Sequence, residues 1–161
     1  MGSIAHLTPP RPITLIADHE PMSTFTLDIE LQTTGNDQIV DLTDDLQRAA
    51  SESGIQTGQL TAMVVGSTAA LSALEFEPGL VHHDIAAALE VLAPRNGEYE
   101  HEKTWHDDNG HSHVRACLVG PSLALPVVRG MIPLGTWQQI VLLDFDTRPR
   151  SRRVVITVLG D

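Results

Sequence analysis

The segment Ser23-Thr-Phe-Thr-Leu-Asp-Ile-Glu-Leu-Gln-Thr33 alternates between two kinds of side chain. The apolar residues on one side of an extended chain are Phe25, Leu27, Ile29 and Leu31. The residues between them are threonine, aspartate and glutamate. Because successive side chains of a strand point to opposite faces, this pattern predicts a strand that is half buried against a core.

The elements after this strand mix helices and strands. A threonine followed by two aspartates at residues 43–45 predicts the capped start of a helix of about 10 residues, which Gly54 ends. Pro78 suits the first residue of a second helix, which ends before Pro94. Short strands are predicted at residues 38–42 and 59–65, with residues 67–74 as the continuation of the latter strand or its partner.

The C-terminal third is predicted to be a loop followed by strands. Residues 95–110 are polar and read as a loop. The predicted strands are residues 111–119, a stretch from 131 or 136 to 144, and residues 152–159. Strands in hairpin-like order with two inserted helices predict an α+β fold, a compact and mainly antiparallel sheet with two main helices.

The first 22 residues differ in composition from the rest of the chain. They contain Pro9, Pro10, Pro12 and Pro21, which predicts an extended or partly disordered arm. Within this arm, Ile13-Thr-Leu-Ile16 could form a short edge strand. The expected organisation is therefore an arm at residues 1–22 and one domain at residues 23–161.

Charge and cysteine content restrict the partners and the compartment. The net charge is −11, which disfavours binding to nucleic acid and to anionic membranes. Residues 1–100 hold 15 acidic and 3 basic side chains, whereas residues 101–161 hold 6 and 7. The single cysteine, Cys117, indicates a reducing compartment, and no stretch reaches the roughly 20 apolar residues of a membrane span. We expect a cytoplasmic protein.

The clearest candidate site is Asn109-Gly-His-Ser-His-Val-Arg-Ala-Cys-Leu118. On a strand, His111 and His113 would share one face about 7 Å apart, close enough to bind one metal ion. A third ligand could come from His101, His106 or Glu75. The alternative is a pair of solvated or hydrogen-bonded histidines that bind no metal.

The run Arg148-Pro-Arg-Ser-Arg-Arg153 is the main cationic cluster. Arg152 or Arg153 could bind a phosphate at the start of the last strand, because a guanidinium forms paired hydrogen bonds to phosphate oxygens. The alternative is a solvated turn whose charges offset the acidic N-terminal half.

Read in order, several blocks resemble the signature of the YjbQ-like family. The resemblance runs from about residue 23 to the C-terminus. It rests on Gly110-His-Ser-His-Val-Arg-Ala, Leu118-Val-Gly-Pro-Ser-Leu-Ala-Leu-Pro-Val127, Leu134-Gly-Thr-Trp-Gln-Gln139, Arg152-Arg-Val-Val155 and the acidic segment Glu75-Phe-Glu-Pro-Gly79.

The resemblance implies a homotrimer with secondary thiamine-phosphate synthase activity, which joins an aminopyrimidine diphosphate to a thiazole phosphate. It implies a polar pocket that binds a small phosphorylated molecule and a divalent metal, zinc or magnesium. The implied catalytic residues are His101, His111, His113 and Glu75, and the three histidines are also the implied metal ligands. The implied phosphate-binding residues are Arg115, Arg152, Arg153 and Ser122.

One position departs from the family pattern in a way that matters for activity. Relatives have His-Thr-Thr/Ser-Ala at the end of the central strand, whereas this chain has Ser67-Thr-Ala-Ala70. A serine hydroxyl is a poor metal ligand and cannot act as a base near neutral pH. Phe76, where relatives usually have a polar residue, is a second departure. The chain could therefore be a non-catalytic trimeric module that binds an anion or metal, or a structural trimer with no ligand.

Overall fold

The computed structural model describes residues 22–161. It has seven strands, a π-helical turn and four α-helices within that range. The predicted edge strand in the arm lies outside the described residues. The elements are β1 (Ser23–Thr33), β2 (Gln38–Asp41), α1 (Thr43–Glu52), β3 (Thr57–Val65), β4 (Ala69–Glu75), the π-helical turn (Leu80–Asp84), α2 (Ile85–Leu92), α3 (Glu100–Trp105), α4 (Gly110–Val119), β5 (Ser122–Val128), β6 (Gln138–Asp144) and β7 (Arg150–Gly160).

The strands form two antiparallel sheets, which confirms the predicted α+β class. The larger sheet has the order β1-β7-β3-β5 and the smaller has the order β2-β6-β4. β1 has the predicted bounds and pairs with β7 along its whole length, with Phe25 opposite Val158. The apolar residues of β1 are half buried and alternate with exposed polar residues, as the sequence predicts.

β6, the central strand of the smaller sheet, is buried on both faces along most of its length and separates two apolar clusters. Ile140 and Leu142 of β6 pack with the larger sheet and α1. Val141 and Leu143, which point the other way, pack with α2 and α4. The molecule therefore has three layers, and α4, in the layer formed by α2 and α4, carries His111 and His113.

The predicted strand at residues 111–119 is wrong, because this segment is the helix α4. On a strand, Val114 and Leu118 would lie on the apolar face opposite His111 and His113, yet they are 38% and 57% exposed. The buried residues are His111, Ser112, Arg115 and Ala116, which recur at helical spacing. The segment has little β-branched content, and the hydroxyl of Ser112 donates to the Phe145 carbonyl at 2.6 Å, which anchors the helix to the sheet layer.

Two further predictions about the C-terminal half need correction. Residues 95–110 are not entirely loop, because Glu100–Trp105 forms α3, which ends where His106 adopts φ 56°. No strand is predicted at residues 122–128, yet they form β5, which contains Pro126. β5 lies at the edge of the larger sheet, where a proline is tolerated.

The N-terminal half follows the sequence more closely. α1 has the expected length, but Thr43 is its first residue, and its hydroxyl accepts from the Ile140 amide at 2.9 Å instead of capping the helix. The second helical segment begins at Pro78 as predicted. β4 neither continues β3 nor pairs with it, because Gly66, at φ 139°, turns the chain into the smaller sheet, where β4 pairs with β6.

Candidate functional site

Helix α4 separates the two histidines that a strand would have placed side by side. His111 is 1% exposed and lies in the protein interior, with its ring 6.4 Å from that of Tyr99. Burial lowers the pKa of His111, and the nearby Arg115 guanidinium lowers it further. His111 is therefore a neutral interior residue and does not share a site with His113.

His113 instead pairs with His101 of α3. The ring centroids of these two histidines are 4.3 Å apart, with their planes tilted by 49°. The Nε2 atom of His101 lies 3.4 Å from a carboxylate oxygen of Asp107 in the loop between α3 and α4. The structure therefore brings together His113, His101 and Asp107, and the sequence analysis identified only the two histidines.

The electrostatic environment favours a neutral His113. Burial lowers the pKa of His113, and His101 lowers it further, whereas Asp107 and the Ser67 backbone act in the opposite direction. A neutral imidazole can accept a proton near neutral pH, which is the state that a general base requires.

His113 opens into a cavity of about 350 Å³ at the junction of α4 with the β3–β4 turn. Ser67 lines the same cavity, so the position at which this chain departs from the family pattern lies beside His113. Cys117, one helical turn after His113, also lines it, and this i, i+4 relation could be found only once the segment was known to be a helix. The lining residues are Gly66, Ser67, Ala69, His113, Ala116, Cys117 and Pro121.

The predicted metal site of His101, His111 and His113 is not assembled. Across residues 22–161, no group of three or more His, Cys, Asp or Glu side chains is arranged to hold a metal ion. The Nε2 atom of His101 and one oxygen of Asp107 are buried and have no hydrogen-bond partner in this part of the chain. His101, His111 and His113 therefore do not form a site that fits a divalent metal ion.

Arg115 serves the fold and does not lie in the candidate site. Its side chain is fully buried, and Nη1 donates to both carboxylate oxygens of Asp37 at 2.8 Å. Its Nη2 donates to Glu90 at 2.6 Å and its Nε to the Ala93 carbonyl at 2.9 Å. These bonds tie α4 to α2 and to the β1–β2 turn, so the guanidinium is not available to a phosphate.

The other predicted phosphate-binding residues are dispersed. Arg152 is buried and donates to both oxygens of Asp144 at 2.6 Å and to the Thr68 hydroxyl at 2.9 Å. Arg153 is exposed and lies 3.2 Å from Asp28 of the neighbouring strand β1. Ser122 is exposed at the start of β5. None of these side chains lines the cavity beside His113.

Glu75 is also separate from His113. It is the last residue of β4, is exposed, and pairs in register with Gln138 of β6. It does not line the cavity, so the structure gives it no contact with the predicted histidine cluster.

Comparison with known proteins gives one consistent assignment. The family described as "UPF0047 protein YjbQ-like" matches residues 27–161. The chain belongs to the YjbQ-like family. A UPF0047 protein of Methanothermobacter thermautotrophicus is 35% identical over 86% of this chain and 94% of its own length, and one of Archaeoglobus fulgidus is 35% identical over 83% and 100%.

Solved structures support the same fold for this YjbQ-like chain. The crystal structure of a protein from Sulfolobus solfataricus, described as YbjQ-like and of unknown function, matches with a TM-score of 0.81. The two sequences are 32% identical, and the match covers 87% of this chain and 99% of the other. In residues 22–161, no helix has both the length and the apolar character needed to cross a membrane.

Proposed function

We propose that this YjbQ-like protein is an enzyme whose active site is the cavity shared by His113 and Ser67. The observation that carries the proposal is the contact of the His113 ring with His101, which in turn lies beside Asp107. His113 can accept a proton in this arrangement, because the neighbouring His101 imidazole and the Asp107 carboxylate beside it can share the resulting positive charge.

The reaction to test first is the condensation implied by the family resemblance, which joins an aminopyrimidine diphosphate to a thiazole phosphate with loss of pyrophosphate. The cavity volume, about 350 Å³, lies at the small end of the range for ligand pockets and suits a small molecule. Neutral His113 and His101 would donate N–H hydrogen bonds to the leaving pyrophosphate, a role that Arg115 and Arg152 cannot fill since both are held in buried ion pairs.

The test is pyrophosphate release from the two substrates by the parent and by His113→Asn. We expect the variant to lose at least about 100-fold in kcat/KM, since one preorganised hydrogen-bond donor to a developing negative charge contributes roughly 10²–10³-fold. His83→Asn, which changes an exposed histidine of the π-helical turn, is the matched control and should retain the parent rate. Equal rates for the parent and His113→Asn would contradict the proposal.

A second candidate function is a non-catalytic module that binds a small anion or metal. The observation that favours it is Ser67 in the cavity, at the position where the resemblance implies a histidine. This alternative predicts that the parent binds the aminopyrimidine diphosphate in calorimetric titration without releasing pyrophosphate. Measured turnover would exclude it.

We further propose that the protein is a homotrimer, as the resemblance implies. Large apolar side chains remain exposed in the single chain, including Trp137 at 71% and Met131 at 61%, and burial of such residues favours association. Light scattering coupled to size exclusion should give three times the 17.5 kDa chain mass. A monomer mass at micromolar concentration would contradict the trimer.

A further inference from the structure

Within residues 22–161, the outer edge of β1 is a long strand edge without a partner strand. β1 ends the larger sheet and pairs with β7 on its inner side over 11 residues. On its outer side it pairs with no strand of residues 22–161. An exposed edge of this length presents a row of free backbone donors and acceptors, and proteins normally cover such an edge.

A groove of about 540 Å³ runs along this edge. Residues 27–31 of β1 line it consecutively, and α1 and residues 40–42 form the opposite wall. One face of a strand would contribute only alternate residues, so consecutive lining shows that the groove follows the edge itself. Leu27, Ile29 and Leu31 are only half buried there, although they pack against the core.

The walls of the groove are negatively charged. Among the described residues, Arg48 is the only basic one that lines the groove, and its guanidinium lies 2.5 Å from the carboxylate of Asp45. A suitable occupant is therefore an extended, apolar segment that carries positive charge and no carboxylate. The acidic residues that line the groove are Asp28, Glu30, Asp41, Asp45 and Glu52.

The chain contains such a segment immediately before β1. Residues 1–17 include Arg11 and no aspartate or glutamate, and residues 13–16 are Ile-Thr-Leu-Ile. Six residues separate this segment from Ser23, which at about 3.3 Å per residue is enough to reverse direction. The relatives are matched over 94% and 100% of their own lengths, and the family match starts at residue 27, so this segment is additional to the family domain.

We propose that residues 13–16 bind along the outer edge of β1 as an additional antiparallel strand. They cover Leu27 and Ile29, and Arg11 lies beside the acidic wall. Pro12 limits the pairing to a short strand, because proline has no amide to donate.

The test is hydrogen–deuterium exchange of the full chain, read at the β1 amides that do not bond to β7. These amides should be protected from exchange in the parent. In the double variant Ile13→Ser, Leu15→Ser they should exchange at least tenfold faster. The matched control is Ile4→Ser combined with Leu7→Ser, which changes the same kinds of residue outside the segment and should leave the protection unchanged. Exchange in β3 should be the same in all three proteins.

Two results would overturn the proposal. Equal exchange at the β1 edge in the parent and the residue 13 and 15 variant would mean that the segment does not cover the edge. Protection that survives in this variant but is lost on dilution would mean that a second copy of the chain covers it. The charge contribution is tested separately, since Arg11→Glu should weaken the protection and Arg11→Lys should keep it.

Discussion

The buried Arg115 cluster and the His113 cluster beside the cavity, both built on α4, differ in how completely their polar atoms are bonded. On the interior face, Arg115 has its Nε and both terminal nitrogens bonded, and the Ser112 hydroxyl bonds to the sheet layer. His111 lies on the same face with its Nδ1 unbonded in residues 22–161, so the saturated cluster is that of Arg115. On the opposite face, His113 and Cys117 border a cavity, and His113 contacts His101, whose Nε2 has no hydrogen-bond partner in residues 22–161. A saturated polar cluster holds the fold together, whereas an unsaturated one beside a cavity can bind or react with a ligand.

The largest effect should come from breaking the saturated Arg115 cluster. Arg115→Ala would leave Asp37 and Glu90 without their shared cation and would remove a fully buried side chain. Loss of one partner of a buried pair costs about 3 to 5 kcal/mol, and the partial exposure of Glu90 favours the lower value. The free energy of unfolding in urea measures this loss.

The control is Arg48→Ala, which breaks the exposed pair with Asp45 on α1. Surface pairs contribute roughly 0 to 1 kcal/mol, so this variant should unfold close to the parent midpoint. Similar losses for the two variants would mean that the Arg115 cluster does not hold the helix layer in place.

An intermediate effect should come from adding an imidazole beside His113, on the face of α4 that borders the cavity. Ser67→His would place a third histidine at the cavity that His113 lines and beside which His101 lies. We expect zinc to bind at least tenfold more tightly than to the parent, because added ligands are most effective where the existing ones are already held.

The positions of His111 and His113 on different faces of α4 provide the controls for this experiment. Adding His113→Ala to Ser67→His should abolish the gain, whereas adding His111→Ala should not, since His111 is buried on the other face. Calorimetric titration compares these proteins at pH 7.5. A gain that depends on His111 would show that the helix does not separate the two histidines.

The smallest effect concerns the pH dependence of stability. Burial lowers the pKa of His111 in the folded state, so below about pH 6.5 the unfolded chain binds more protons than the folded one. Stability should be complete above that pH and should fall as the pH decreases, until the folded histidine also protonates. His113, whose pKa is lowered too, should add to this loss.

Thermal unfolding at pH 7.5 and pH 5.5 tests the His111 contribution. His111→Gln should lose less melting temperature between the two pH values than the parent. His83→Gln, on the exposed π-helical turn, should lose as much as the parent. An unchanged pH dependence in His111→Gln would contradict the interior position of this ring.

The sequence identified the parts of the fold that local patterns specify. Strict alternation gave the bounds of β1, and two aspartates with a following glycine located α1. The helix at residues 110–119 was not identified, because a segment of ten residues can fit both the two-residue repeat of a strand and the 3.6-residue repeat of a helix. Two of its apolar residues are exposed, so the apolar pattern does not mark the buried face. The candidate site was affected in the same way, since the sequence grouped His111 with His101 and His113, whereas the structure places only the latter two side by side.

By itself, the sequence determined the α+β class, the family and the histidines worth testing. Only the tertiary structure decided which polar residues are bonded inside and which face a cavity. The physical reason is that burial of a charge depends on partners distant in the chain. Arg115 is satisfied by Asp37 and Glu90, which lie 78 and 25 residues away, and no local pattern around residue 115 encodes that pairing.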